Sequence, residues 1–380
     1  MYVSARFGRL WMGVLLAAVA PGVIGLLCGR THRASANPPT TLPTREHTFA
    51  HQLLDMEAEV TPVPESSRKV LDSIFASARK RIVFDATIKD PAARRRQAIQ
   101  ILRMIDSILT EHNILFPPGD EDVLSLSAGL AERTLDDAAF EEACILLENK
   151  RRAKYLEAHR KEKLHCMDCD ISSIVYVGIG EALGLDIRMV DLPGHVFVRW
   201  HFSDSDYLDW DTNNAQVDND SDYKKSEDLT DRQIKDRIYL ASLSRDEALG
   251  YCYDLRADSF AKAKKFDKAI ADYRRSIALY PQAPVPRRDL AWLYLSTPGL
   301  AIPSNAELMD LARYATRVEA QNAKHWDTLA CAYAAGGNFS EAIRCADRAQ
   351  RLADEKEGPE FAKHRKAFEG KKTWLEAMGE

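Results

Sequence analysis

The chain has 380 residues, of which 46% are hydrophobic and 29% are charged, so it is long and apolar enough to form two or more domains. The formal net charge of −5 argues against nucleic acid as the main partner, because proteins that bind nucleic acid carry an excess of basic residues. Seven cysteines, an odd number at irregular spacing, exclude a small scaffold held together by disulfides.

Residues 1–28 have the pattern of a signal peptide or a membrane anchor. Arg6 and Arg9 precede an uncharged apolar stretch over residues 10–27, whose length is close to the roughly 20 residues that cross a membrane. Three processing sites stay open: Cys28 as a lipoprotein cysteine, residues 34–36 and residues 18–20. A linker rich in Pro and Thr follows over residues 29–48. We therefore expect an exported protein that associates with the membrane through this segment.

The next part of the chain, residues 49–163, is predicted to be helical. Apolar side chains recur at helical spacing over residues 66–82 and again over residues 91–108. A Pro-Pro-Gly sequence at residues 117–119 then interrupts the pattern, which continues afterwards. The basic run at residues 150–163 also contains Glu and apolar residues. It therefore indicates a helix with a solvent-facing side rather than a contact with nucleic acid or lipid.

A buried helix followed by an antiparallel meander is predicted next. The apolar residues of 170–183 fall on one helical stripe, and Gly184 is a natural end of the helix. Gly178 and Gly180 would each cost about 1 kcal/mol in an exposed helix, so we expect another element to pack closely against them. Alternating or apolar patterns predict three strands, at residues 186–191, 195–202 and 207–211.

Residues of three reactive types lie at the ends of these elements. Cys169 precedes the helix, where the helix dipole favours a thiolate, and His195 opens a strand from which it can take the thiol proton. Asp211 or Asp209, on the following strand, can orient the imidazole. The pattern predicts a Cys–His–Asp triad in which the choice of aspartate is open. The alternatives are a buried structural thiol, or a redox pair or half of a metal site formed with Cys166, although no second such pair completes a zinc site.

A longer motif surrounds these residues. It consists of Cys169, Ser173 and Tyr176, then Glu-Ala-Leu-Gly-Leu at residues 181–185, then Asp-Leu-Pro-Gly-His-Val-Phe-Val-Arg at residues 191–199. This order of residues resembles the SirB-type branch of the transglutaminase-like superfamily, and the match needs no gap between Cys169 and Arg199. The resemblance implies a papain-like core and a triad of Cys169, His195 and an aspartate, for which Asp211 fits the family motif better than Asp209. Asp170 stands where the family has an apolar residue.

Two further predictions concern the surroundings of the triad. We expect Tyr207 and Trp210 to contact the substrate, although aromatic residues on strands also serve as core. The Asp-rich residues 217–231 lack the glycine and the final glutamate of a calcium-binding EF-hand, so they predict a loop on the substrate side. A helix is predicted again over residues 231–243. No metal and no cofactor are expected.

From residue 249 the sequence repeats with a period of about 34 residues, the length of a tetratricopeptide repeat. Small and aromatic residues recur at matching positions, such as Ala257, Tyr273, Ala291, Tyr294, Ala330 and Tyr333. The pattern resembles a tetratricopeptide array over residues 245–356, followed by a capping helix over residues 357–380. Stacked helix pairs of this kind have a concave face that suits a protein partner.

The combined prediction is an α+β fold. Residues 49–244 are expected to form a papain/transglutaminase-like core with N-terminal helices, followed by the all-α repeat domain. The predicted function is thiol acyl chemistry on a carboxamide or peptide bond of a protein or peptide substrate, either as a protease or amidase or by acyl transfer. The alternative is a catalytically inactive transglutaminase-like scaffold that binds protein partners through its repeats.

Overall fold

The computed structural model describes residues 48–115, 125–132, 150–159, 162–301 and 304–378. This described chain divides into two compact units, residues 48–259 and residues 260–378. The predicted signal or anchor segment, the linker up to residue 47 and the Pro-Pro-Gly sequence at 117–119 lie outside the described residues. Among the helices inside these ranges, none is both long enough and apolar enough to cross a membrane.

The first unit begins with helices. Their bounds are α1 Phe49–Glu57, α2 Glu65–Arg81, α3 Pro91–Glu111, α4 Leu126–Gly129 and α5 Lys150–Ala158. The start of α3 follows from its sequence, because proline fits the first helical position and the Asp90 carboxylate accepts a hydrogen bond from the Ala93 N–H at 2.6 Å. The helices predicted over residues 66–82 and 91–108 are confirmed.

The central helix of this unit, α6, spans Cys169–Leu183 and is buried along most of its length. It begins after Asp168, whose carboxylate accepts a hydrogen bond from the Ile171 N–H at 2.9 Å. It ends at Gly184, which has a left-handed backbone with φ of 70°. Both the helix and its predicted glycine end are confirmed.

Close packing explains the two glycines inside α6. A Cβ atom at Gly178 would lie 3.0 Å from the side chain of Ala50 and 3.0 Å from that of Phe75, so α1 and α2 approach the helix backbone here. A Cβ atom at Gly180 would lie 3.0 Å from the side chain of Ile187. The expectation that other elements pack closely on these glycines is confirmed.

A four-stranded antiparallel sheet follows α6 in the chain, in the order β3-β4-β5-β6. Its strands are β3 Ile187–Leu192, β4 His195–His201, β5 Tyr207–Asp211 and β6 Gln216–Asp218. Gly194, with φ of 98°, makes the tight turn between β3 and β4, and α6 packs against these two strands. A separate parallel pair joins β1 Ile114–Leu115 to β2 His165–Cys166. The predicted meander is confirmed, and β6 extends it.

The prediction of a polar loop over residues 217–231 was wrong. The chain there completes β6 and then forms a short helix, α7, over Asp220–Ser226. Asn219 starts this helix, because its side-chain oxygen accepts hydrogen bonds from the N–H groups of Ser221 and Asp222 at 3.0 and 3.1 Å. The aspartates that suggested a loop therefore lie in the first turn of a helix, where negative charge is favourable.

The helix predicted over residues 231–243 is also much shorter than expected. Helix α8 spans only Asp231–Lys235. The chain then turns, because Arg237 and Leu240 both have left-handed backbones, with φ of 57° and 59°. Four apolar residues beyond the end of α8 are buried without continuing the helix: Ile238, Tyr239, Leu240 and Leu243.

The second unit is helical throughout its described residues. Helix α9, Arg245–Lys262, crosses the division between the units, which the sequence analysis had put at residues 244/245. The helices that follow are α10 Phe266–Leu279, α11 Val285–Ser296, α12 Asn305–Val318, α13 Ala323–Ala335, α14 Phe339–Leu352, α15 Gly358–Glu369 and α16 Trp374–Met378. Consecutive helices from α10 to α15 pack on each other. The tail predicted as one capping helix contains two, α15 and α16.

Candidate functional site

Cys169 is the first residue of α6 and is partly exposed. Its sulfur lies 3.5 Å from Asp170 Oδ1, within reach of a weak S–H hydrogen bond. Cys166, by contrast, is buried in β2, and both cysteines are thiols rather than halves of a disulfide. The arrangement presents the Cys169 sulfur at a helix N-terminus, where the dipole of α6 favours negative charge.

Two hydrogen bonds fix the first turn of α6 against the sheet. Ser172 Oγ lies 2.7 Å from Oγ1 of Thr212, and both side chains are buried. Thr212 directly follows Asp211 in the chain. Ser173 Oγ donates a hydrogen bond to the carbonyl oxygen of Val196 at 3.4 Å, and Val196 directly follows His195. The start of α6 is therefore held beside the residues that carry the predicted imidazole and carboxylate.

His195 and Asp211 are directly bonded. His195 Nε2 lies 3.1 Å from Asp211 Oδ2, and both side chains are largely buried. The other oxygen, Asp211 Oδ1, accepts hydrogen bonds from the N–H groups of Asn213 and Asn214 at 2.8 and 2.9 Å. Burial alone would raise the pKa of Asp211, but the bonds from His195 and from the two N–H groups outweigh it and keep this pKa below its usual range. An ionised Asp211 thus orients the ring through Nε2.

Asp209, the other aspartate considered from the sequence, contacts a different residue. The strand register sets it opposite Arg199, whose Nε and Nη2 lie 2.6 and 3.1 Å from its two carboxylate oxygens. Arg199 also donates to the carbonyl oxygen of Leu240 at 3.1 Å and is bonded to Asp220. Burial raises the pKa of Asp209 to about 6 against the opposing effect of Arg199. Asp209 therefore belongs to a buried ion-pair cluster, and Asp211 is the aspartate bonded to His195.

The prediction that Trp210 contacts the substrate was wrong. Its side chain is 0% exposed, and its indole Nε1–H donates to the Tyr176 hydroxyl at 3.4 Å, so it is part of the core between β5 and α6. Tyr207 lies four residue steps from Asp211 along β5, which is a distance of about 13 Å. Its hydroxyl donates to Asp220 at 2.8 Å, and the Arg199 guanidinium lies 4.0 Å from its ring centre.

Sequence reasoning missed Tyr223, which lies beside the imidazole. This residue of α7 stacks on Phe197 with ring centres 4.4 Å apart, and its ring centre is 6.1 Å from that of His195. Its hydroxyl donates to Asp218 at 3.4 Å. Helix α7 therefore covers the face of β4 that carries His195 and Phe197. The Asn219 cap was the one sequence signal that could have predicted this helix.

The triad residues are not grouped as metal ligands. Within the described ranges, the sets of His, Cys and acidic side chains close enough to share an ion do not include Cys169 or His195. The side chains described above offer a thiol, an imidazole and a carboxylate.

Comparison of the chain with protein-family models gave no matching family, and a search of curated proteins gave no match either.

Proposed function

We propose that the first unit performs thiol acyl chemistry with Cys169 as nucleophile, His195 as general base and acid, and Asp211 as the residue that positions the imidazole. The observation that carries this proposal is the 3.1 Å bond between His195 Nε2 and Asp211 beside the N-terminus of α6. The helix start and these two residues are tied together through Ser172 and Ser173. Such a constellation is the general requirement for an activated thiol.

The reaction proceeds in two steps. In the first, the Cys169 thiol proton passes to His195 Nδ1 while the sulfur attacks a carboxamide or peptide carbonyl, and the first N–H groups of α6 are suited to receive the negative oxygen. His195 then returns the proton to the leaving amine, which gives a thioester. In the second step, water or an amine attacks the thioester and regenerates the thiol, so the product is either a carboxylic acid or a new amide.

This arrangement supports a transglutaminase-like assignment of the first unit. A buried helix with cysteine at its start, followed by antiparallel strands that carry histidine and aspartate, is the order that the resemblance implies. The successive helix pairs of the second unit are consistent with tetratricopeptide repeats that bind a protein partner. With the N-terminal segment predicted from the sequence, the proposal is an exported, membrane-tethered enzyme that acts on protein or peptide substrates.

A second candidate function is favoured by the contact between Cys169 and Asp170. A carboxylate 3.5 Å from the sulfur opposes formation of a thiolate, and the family has an apolar residue at this position. If that effect outweighs the helix dipole and His195, the first unit is an inactive scaffold and the repeats carry the function.

The two candidates differ in turnover. The full chain is incubated with a mixed peptide library, with and without a primary-amine probe, and products are identified by mass spectrometry. The proposal predicts peptide cleavage or amine incorporation that is lost in Cys169→Ala and retained in Cys166→Ser, since Cys166 is buried in β2. Equal product from Cys169→Ala and the wild-type chain, or no product from either, contradicts the enzyme and leaves the scaffold.

A further inference from the structure

Three metal-binding residue types meet inside the second unit, far along the chain from the triad. Asp327 and Cys331 lie four residues apart on α13, so their side chains are on the same face of that helix. His364 reaches them from α15. All three residues are buried, with exposed fractions of 2%, 0% and 0%. Their donor atoms lie within 4.8 Å of one another.

The contact between His364 and Asp327 is symmetric. His364 Nδ1 lies 2.9 Å from Asp327 Oδ1 and 2.8 Å from Oδ2. An N–H donor prefers to point at one acceptor in a nearly straight line, whereas a cation is commonly held by both oxygens of a carboxylate. The symmetry thus suits a cation placed between the nitrogen and the carboxylate.

The spacing of the donors fits a tetrahedral metal with little movement. Zinc bonds to nitrogen, oxygen and sulfur imply donor separations of about 3.6 Å for nitrogen to sulfur and about 3.4 Å for nitrogen to oxygen. The distance from Cys331 Sγ to His364 Nδ1 is 3.7 Å. The carboxylate has to retreat by about 0.5 Å to reach the second value.

The charge and the surroundings also suit a divalent ion. A thiolate and a carboxylate together balance two positive charges, which matters in a site closed to water. Aromatic rings surround the imidazole, with the ring centres of Trp374 and Trp292 at 4.2 and 6.0 Å from that of His364. A mixed set of sulfur, nitrogen and oxygen donors is typical of zinc rather than of magnesium or calcium.

We infer that Asp327, Cys331 and His364 form a structural zinc site, in which the Asp327 carboxylate, Cys331 Sγ and His364 Nδ1 hold the ion in a distorted tetrahedral arrangement and tie α13 to α15. No metal was expected from the sequence. An Asp and a Cys four residues apart, with a His 33 residues after the cysteine, match no common zinc pattern, so their spacing does not reveal this site.

The proton balance of this site predicts pH dependence. Zinc binds the thiolate form of cysteine, so the ion has to displace the proton of the Cys331 thiol. Zinc binding releases that proton to solvent and requires the imidazole proton to be on Nε2, so that Nδ1 offers its lone pair. Affinity for zinc should therefore fall as the pH is lowered.

The test uses the full chain, because a site this deeply buried is expected to fill during folding. The protein is unfolded in denaturant with a chelator, freed of metal, and refolded with zinc chloride, with cobalt chloride or with the chelator alone. We expect about one bound zinc per chain and, with cobalt, the intense visible bands of a tetrahedral ion together with a thiolate charge-transfer band. Cys331→Ser should lose the charge-transfer band, whereas Cys345→Ser, on the neighbouring α14, should keep it.

Two results overturn the inference. One is a refolded wild-type chain that holds less than about 0.1 zinc per chain, which would make the cluster an ordinary buried hydrogen bond between His364 and Asp327. The other is a cobalt thiolate band that survives Cys331→Ser or is lost in a Cys166→Ser, Cys169→Ser double variant, which would assign the metal to the first unit. If Cys331→Ser does not fold, the double variant and the wild-type spectrum still decide the question.

Discussion

The Asp211→Asn variant tests the contact with His195 specifically, because the structure determines how an amide would be oriented there. Asp211 Oδ1 accepts two backbone N–H groups, from Asn213 and Asn214, while Oδ2 faces His195. Only the oxygen of the introduced amide can accept those N–H groups. Its NH₂ group must therefore point at His195 Nε2.

The misplaced donor changes the tautomer of the imidazole. Nε2 becomes the acceptor and the ring proton moves to Nδ1, the nitrogen that has to accept the thiol proton. In the serine-protease triad an aspartate likewise fixes the tautomer of the histidine, and the corresponding Asp-to-Asn change lowers turnover about 10⁴-fold. Alkylation of the thiol requires only formation of the thiolate, so we expect a smaller fall of about 10- to 100-fold in its rate.

The assay is the second-order rate of iodoacetamide alkylation at Cys169, read by mass spectrometry at pH 6 and pH 9. The fall should appear at pH 6 and largely vanish at pH 9, where about half or more of ordinary thiols ionise without help. Asp218→Asn is the matched control, because Asp218 on β6 bonds Tyr223 and Gln216 instead. It should stay within about twofold of wild type. Equal rates for the two variants at pH 6 would refute the proposed role of Asp211.

Three other predictions follow from the packing and charges. Gly178→Ala should destabilise the first unit by about 1–2 kcal/mol in urea unfolding, because the 3.0 Å contacts outweigh the gain of about 1 kcal/mol in helix propensity. The control is Gly358→Ala, which should change the stability little because no atom lies within 4 Å of the added carbon. Tyr223→Ala should lower the free energy of unfolding by about 3 kcal/mol and slow the alkylation of Cys169. Tyr223→Phe keeps the stack on Phe197 and should lower it by less than about 1 kcal/mol. Similar losses of stability in both variants would contradict the packing role of this ring. The pKa of Asp211 is lower in the folded state than in the unfolded chain, so its carboxylate stabilises the fold above the usual carboxyl range and stops doing so as the pH falls through the folded-state pKa. The unfolding free energies of wild type and Asp211→Asn should therefore converge below about pH 4.

The local elements around the site were predictable because their signals are strong and short-range. Gly184 ends α6 in a left-handed conformation, and apolar alternation marks β4. Trp210 shows where such signals stop. Strand alternation assigns side chains to faces, but β5 is buried on both faces, so alternation could not tell a core side chain from one that faces a substrate.

The remaining features depend on contacts between distant parts of the chain. Asp209 and Asp211 share one face of β5, and only the pairing of Arg199 with Asp209 distinguishes them. Tyr223 was missed because α7 is short and rich in aspartate, which resembles a loop until the Asn219 cap is recognised.

The most direct test of the central claim is the alkylation rate of Cys169 at pH 6, compared between wild type and His195→Ala in the full chain. If His195 and Asp211 activate the thiol, wild-type Cys169 should react about tenfold or more faster than an ordinary exposed thiol, and His195→Ala should remove that advantage. Cys252, which is fully buried and whose pKa is raised by burial, provides the unreactive reference in the same digest. An ordinary rate in wild type, or a fast rate that survives His195→Ala, would contradict the claim that these residues form a working triad.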